Sequence, residues 1–221
     1  GHLDANAPFF FADNQMIKYI AVAGTMGSGK SSLVKFLCNR YKDIRPFYER
    51  NEENPYLADF YEEMKRWAFH SQIYFLALKF RTHQQLDACG QTVIQDRTIY
   101  EDAEVFAMHL HKKGILTGRD YEAYRRLYST ILNSINPPDL LIYMKTNLRT
   151  VKKRIAKRGR DYESSIDTEY LKGLNALYKS WIKKYREAGI SPVVEVDASR
   201  MDFLHNLVDR IELLEVIEKH L

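Results

Sequence analysis

The run Gly24, Thr25, Met26, Gly27, Ser28, Gly29, Lys30, Ser31 and Ser32 carries the G-x-x-x-x-G-K-[ST] spacing of a phosphate-binding loop. Glycines let backbone N–H groups approach phosphate oxygens, and a following helix N-terminus adds partial positive charge. Lys30 can reach terminal phosphates, and Ser31 can offer its hydroxyl to Mg²⁺. The run implies a site for ATP or GTP. Further along, Glu49 and the pair Asp96-Arg97 each close a short apolar stretch, while Arg154, Arg158 and Arg160 cluster near the end of a helical pattern. Ligands of open α/β sheets bind beyond the strand ends, so acids that close apolar strands are candidates for chemistry, and arginines in the same domain as a phosphate loop have an anionic target. Each has a plainer reading, the acids as helix caps or surface ion pairs and the arginines as a solvated face. Their company with a phosphate loop favours the chemical one.

These residues need elements to position them. Lys18–Ala23 reads as a buried strand and Ser31–Arg40 as a helix with Leu33, Val34 and Leu37 on one face, so the loop has the strand and helix it requires. Further strands are expected at Pro46–Glu49, Thr92–Gln95, Leu140–Met144 and Pro192–Val196. Helices are expected at Trp67–Leu86, Glu101–Lys112, Asp120–Ile135, Leu148–Lys157, Thr168–Ala188 and Asp202–His220, the last with Leu204, Leu207, Val208, Ile211, Leu214 and Ile217 at helical spacing. Strands alternating with helices predict an α/β three-layer sandwich, a parallel five-stranded sheet covered on both faces. Ligands of such sheets bind beyond the carboxyl ends of the strands, where the loop, Glu49 and Asp96-Arg97 all fall. On the helix from Trp67, Phe69, Ile73 and Leu76 form an apolar stripe, and Gln72 and Lys79 lie about 20° apart along its edge.

The chain has 221 residues and 45% apolar content, enough for one domain with a full core. Gly1-His2 reads as a cloning remnant, and residues 1–14 as a loose tail ahead of a domain over 15–221. The cysteines Cys38 and Cys89 form neither a C-x-x-C pair nor metal-ligand spacing, which points to a reducing, cytoplasmic setting without zinc. No apolar run approaches the roughly 18 residues of a membrane span. The +4 net charge comes from interleaved residues, and the one dense basic stretch, Lys152–Arg160, is too short for a nucleic-acid footprint. Neither a membrane nor a nucleic acid is expected as partner.

In order, the motifs are the loop at Gly24–Ser32, Glu49 followed by Asn54-Pro-Tyr-Leu57, Arg66-Trp-Ala-Phe-His-Ser-Gln72, Asp96-Arg-Thr98 with Asp102, and Arg154-x-x-x-Arg158-Gly-Arg160. From about Tyr19 to the C-terminus the chain resembles the deoxyribonucleoside kinases of the deoxycytidine, deoxyguanosine and deoxyadenosine kinase group, most of all the bacterial deoxyadenosine/deoxyguanosine kinases. The resemblance implies a P-loop NTPase-type fold, ATP as phosphate donor, Mg²⁺ as cofactor and a deoxynucleoside as acceptor. Glu49 would take the proton from the 5′-hydroxyl, Arg97 would hold the 5′-oxygen region, and Ser31 and Asp96 would position Mg²⁺ directly or through water. Gln72 would pair with the base and Phe69 flank its ring, while Asp102 and position 79, where the family usually has Arg and this chain has Lys79, would shape the rest of the pocket. Tyr61 and Glu163 would touch the 3′-hydroxyl. Arg154, Arg158 and Arg160 would close over ATP from a lid at about 154–166, with Ser199–Phe203 near adenine.

The resemblance also implies a homodimer joined through the helices around Glu101–Lys112 and Trp67–Leu86. An amide at Gln72 can pair with any base and does not choose among them; the resemblance, with Asp102 retained, implies deoxyadenosine and deoxyguanosine as acceptors with deoxycytidine open. Competing readings are a thymidylate-type monophosphate kinase, which needs basic residues for an acceptor phosphate where this chain has Glu49 and Asn-Pro-Tyr-Leu, and a non-catalytic nucleotide-binding regulator, which needs none of Glu49, Asp96, Arg97 and the lid arginines.

Overall fold

Strand β1 (Tyr19–Ala23) is buried along its whole length, as its continuous apolar run demands of a central parallel strand. It pairs in parallel with β3 (Val93–Asp96) on one side and β4 (Leu140–Lys145) on the other. With β2 (Arg45–Phe47) and β5 (Val193–Asp197) at the edges, the five-stranded sheet has the order β2-β3-β1-β4-β5. This computed structural model describes residues 17–164 and 166–220; the tail expected over 1–14 lies outside them.

Helix α1 (Lys30–Arg40) follows the phosphate loop directly, and its Leu33, Val34 and Leu37 pack with Ile20, Val22 and Ile94 on one face of the sheet. Leu213 and Ile217 of α9 (Leu207–Glu218) join them there. On the other face Tyr19, Ala21 and Ala23 pack with Ala68 and Leu86 of α3 (Met64–Asp87) and with Leu174, Tyr178 and Tyr185 of α8 (Thr168–Ala188). Alternating strand side chains therefore feed two apolar layers, and each fully buried Leu or Ile contributes roughly 1.5–3 kcal/mol. A third cluster joins Leu76 of α3 to Tyr124, Tyr128 and Ile131 of α6 (Gly118–Leu132).

The order of strands sets β2, β3 and β1 side by side, so Glu49, Asp96-Arg97 and the phosphate loop meet at one edge of the sheet. Four expectations change. Strand β2 stops at Phe47 rather than Glu49; Pro46 suits an edge strand, and ending the ladder early frees Glu49 from backbone pairing. A short helix not anticipated from sequence, α2 (Leu57–Glu62), follows Asn54, whose side chain donates to Ser71 O and Oγ on α3 at 3.2 and 3.1 Å. The helix expected over Glu101–Lys112 is a turn of α4 (Ile99–Glu101), a π-helical stretch Asp102–Ala107 and α5 (Met108–Lys112). Finally, α9 begins at Leu207 instead of Asp202, because Asn206 Oδ1 accepts the N–H groups of Val208 and Asp209 and caps the helix there. Its inward residues are Leu213 and Ile217; Leu207, Val208 and Ile211 of the anticipated apolar stripe face outward.

Candidate active site

The phosphate loop turns on glycines. Gly27 and Gly29 have φ of 72° and 92°, and a Cβ on Gly27 would come within 3.2 Å of Val151 O on α7 (Leu148–Arg158). Lys30 is buried, its Nζ donating to Thr25 O at 3.1 Å, and burial together with Arg97 lowers its pKa to about 8 against the pull of Asp96, Glu49 and Glu101. Ser31 Oγ donates to Asp96 Oδ2 at 2.6 Å, while Asp96 Oδ1 is buried with no hydrogen-bond partner. Thr25 Oγ1 and Ser28 Oγ are buried and unpartnered as well. The loop is a cradle whose polar groups await oxygen-rich partners.

At the adjoining strand ends, Arg97 Nε lies 2.6 Å from Glu49 Oε1. Burial alone would raise the Glu49 carboxyl, but Arg97, Lys79 and Lys30 hold it far below the usual range, at about 2. Burial likewise works against the Arg97 charge and is outweighed by Glu49, Tyr178 and Glu101, which raise its pKa. Arg97 has φ of 66°, a left-handed conformation rarely adopted by residues other than glycine, of the kind that persists only where surrounding contacts enforce it. The contacts are present: Lys79 Nζ donates to Arg97 O at 3.2 Å, and Arg97 Nη1 donates to Tyr178 Oη at 3.0 Å. Tyr178 Oη is 2.8 Å from Gly24 O and 2.6 Å from Glu101 Oε2, and Glu101 Oε2 accepts Gly24 N at 3.0 Å. Fully buried Glu101 thus ties the phosphate loop to the Arg97 segment. Sequence reasoning missed both Glu101 and Tyr178. Glu101 had a signal, because Thr98-x-x-Glu101 is a capping box, and both of its reciprocal bonds form.

A cavity of about 450 Å³ opens in front of this network. Met26, Gly27, Gly29, Lys30, Ser31 and Ser32 of the loop wall one end, and Glu49, Tyr61, Gln72, Asp102, Arg97 and Glu163 are brought together in the rest of its lining. Phe69 does not line it. Phe75, Phe106, Leu57 and Phe60 supply the apolar wall instead, because the cavity opens level with Gln72 and beyond, and α2 covers the earlier turns of α3. The π-helical stretch places Asp102 and Phe106 together on the cavity side. Gln72 Oε1 and Asp102 Oδ2 are buried there without hydrogen-bond partners. Burial pushes the Asp102 carboxyl up to about 7 despite Lys79 and Arg97. Lys79, expected beside Asp102, lines a second cavity of about 310 Å³ between β2 and α3, together with Asp96 and Gln95; Glu49 and Phe75 form the wall shared by the two cavities.

Helix α7 ends, as its Arg-Gly sequence foretells, on Gly159 at φ 64°, and Arg154, Arg158 and Arg160 all line the larger cavity. Arg154, expected on the phosphates, donates to Ser28 O at 3.0 Å and to Ala198 O at 2.8 Å, bracing the phosphate loop against the turn after β5. Arg158 is bidentate on Glu163, with Nε 3.1 Å from Oε2, and Arg160 Nη1 lies 3.7 Å from Glu163 Oε1. Glu163 gathers these two cations at the cavity rim.

A model of the family described as deoxynucleoside kinase matches residues 20–221. A deoxyadenosine/deoxycytidine kinase of Bacillus subtilis is 36% identical to this chain over 87% of it and 90% of the relative. A deoxyguanosine kinase of Lactobacillus johnsonii is 37% identical over 90% of each chain. The solved structure of a deoxyadenosine kinase from M. mycoides with bound dCTP superposes with a TM-score of 0.77 at 30% identity, covering 92% of this chain and 100% of that one. Among the described residues no helix is long and apolar enough to cross a membrane.

Proposed function

The chain belongs to the deoxynucleoside kinase family, and from that premise we propose that it transfers the γ-phosphoryl group of ATP to the 5′-hydroxyl of deoxyadenosine and deoxyguanosine in nucleotide salvage. One observation carries the reading. The Glu49–Arg97 pair stands between a phosphate loop and a cavity whose far wall, among the described residues, is Leu57, Phe60, Tyr61, Gln72, Phe75, Asp102 and Phe106 and carries no lysine or arginine. A nucleoside suits that wall and a nucleoside monophosphate does not.

In this mechanism the triphosphate lies along the loop with Lys30 on its terminal phosphates, and the deoxynucleoside base enters toward Gln72 and Asp102, its sugar toward Tyr61 and Glu163. Glu49 is anionic at neutral pH and accepts the 5′-hydroxyl proton as the oxygen attacks. A strong base is not required, because the loose transition state asks mainly for positioning and charge compensation. Arg97, held charged and in a fixed backbone conformation, offsets charge where it develops. Mg²⁺ fits at Ser31 Oγ and Asp96, whose free carboxylate oxygen is the hard donor that this ion prefers; bound there with ATP it supplies further charge neutralisation. Arg158 and Arg160 leave Glu163 and turn to phosphate oxygens when ATP is present, which couples closure of the lid to the loaded site.

Residues 15–221 act as one domain in this reading, as a cytoplasmic homodimer; free Cys38 and Cys89 suit a reducing setting. Initial rates with Mg·ATP across deoxyadenosine, deoxyguanosine, deoxycytidine, thymidine and dTMP test it. Turnover of the purine deoxynucleosides is expected. A rate with dTMP alone points to a monophosphate kinase, and none with any acceptor to a regulator.

A further inference from the structure

The purine end of the cavity holds an acid without a cation. Asp102 is 5% exposed and its Oδ2 is buried with no hydrogen-bond partner. Neither Lys79 nor Arg97 is within ion-pair distance of it: Lys79 Nζ is committed to the Arg97 carbonyl, and the Arg97 guanidinium to Glu49 and Tyr178. The remaining titratable groups around it are Glu49 from the β2 end, Glu101 from α4, and Tyr124 and Tyr128 from α6, none of which supplies positive charge. Burying an unpaired carboxylate costs more than protonating it. Resting on the kinase reading above, we propose that Asp102 meets the base as a neutral carboxylic acid and so selects adenine, donating its proton to N7 and accepting from the 6-amino group.

The selection follows from edge chemistry. A neutral carboxylic acid presents one donor beside one acceptor, and adenine presents N7, an acceptor, beside its amino donor, so both bonds form. Guanine presents N7 and O6, both acceptors, and satisfies only the donor. Cytosine presents an acceptor beside its amino group only at N3 and N4, the edge left to Gln72, and has no N7; thymine presents a carbonyl beside a methyl group. A carboxylate at the same place would face the N7 lone pair of either purine with repulsion. Lys79 lines the second cavity and not the first, so its ammonium does not share the cavity wall with Asp102. Gln72 remains free to pair with another edge of the base, its Oε1 being unpartnered.

The test compares kcat/KM for deoxyadenosine and for 7-deaza-2′-deoxyadenosine, which has C–H in place of N7, from about pH 6 to about pH 8.5. Effects of pH on Glu49, Lys30 or ATP are common to both substrates and cancel in the ratio. The ratio is expected to be about tenfold at the acid end and to fall to one or below at the alkaline end, as Asp102 loses its proton. A fall of threefold or more supports the inference, and a smaller change overturns it. In Asp102→Asn, whose amide keeps a donor and an acceptor at every pH, the ratio is expected to stay flat; a variant ratio that still falls as in the wild type assigns the effect to another group and overturns the inference. Phosphorylation of deoxyguanosine or deoxycytidine without deoxyadenosine also overturns it while leaving the kinase reading intact. Absence of phosphorylation of every deoxynucleoside instead defeats the kinase reading.

Discussion

The two ends of the larger cavity are built on opposite principles. At the strand ends Glu49 is ion-paired with Arg97, the side chains of Arg97, Tyr178 and Glu101 are hydrogen-bonded in a chain that reaches the phosphate loop, and the strained backbone of Arg97 is held by Lys79. On the phosphate side, Asp96 Oδ1, Thr25 Oγ1 and Ser28 Oγ are buried without hydrogen-bond partners. At the base end Gln72 Oε1 and Asp102 Oδ2 are buried with nothing to bond. Preorganised charge lowers a transition state because it needs no rearrangement at the moment of reaction, whereas unpaired buried polar atoms are costly until a ligand satisfies them and so discriminate among ligands. On the proposed reading, chemistry belongs to the first end and choice of acceptor to the second.

Substitutions can break or sharpen that contrast. The largest effect is expected from Arg97→Met, which removes compensation of phosphoryl charge and leaves Glu49 and Glu101 buried without their cation: kcat should fall by about 10³-fold and stability by about 3–5 kcal/mol, read by steady-state rates and chemical denaturation. Gln72→Leu should act on the other side of the kinetic ledger, raising KM for the deoxynucleoside about 10–100-fold with kcat within a few-fold. A comparable loss of kcat in Gln72→Leu would erase the distinction between the ends.

A smaller effect concerns pH, with opposite signs at the two ends. Glu49 is depressed to about 2, so its contribution to stability is present above the unfolded carboxylate value of about 4.3 and is lost as pH falls through about 2. Asp102 is raised to about 7, so the folded state binds its proton more tightly; stability is full below about 3.9 and declines as pH rises through about 7. Asp102→Asn should therefore be more stable than the wild type at pH 8, on the order of 2 kcal/mol, with the gap vanishing near pH 4. Thermal or urea unfolding at the two pH values measures it.

The grouping of residues at the strand ends was largely legible in the sequence, because polar residues closing apolar strands must lie along one edge of a parallel sheet, and the phosphate loop marks which edge. Glu101 was readable in principle from its capping box. Tyr178 was not, since it reaches Gly24 across 154 positions of chain and only the folded packing of α8 brings it there. At the base end, helical periodicity showed that α3 carries Gln72 and Lys79 on one face, but not that two cavities divide that face between them. Nor could it say which turn of α3 meets the base; α2, itself unforeseen, covers the level of Phe69 and leaves Phe75 and Phe106 to flank the cavity. The π-helical stretch at Asp102–Ala107 carries no turn or capping signal of its own in the sequence, and it packs against α3, α6 and α8, which only the fold brings together.

The most direct measurement is kcat of Glu49→Gln with saturating deoxyadenosine and Mg·ATP, alongside the dissociation constant for deoxyadenosine. The amide preserves shape but accepts no proton, so kcat should fall by about 10²–10⁴-fold while binding changes by no more than a few-fold. A kcat within a few-fold of wild type would contradict the assignment of Glu49 as the base and, with it, the division of labour between the two ends.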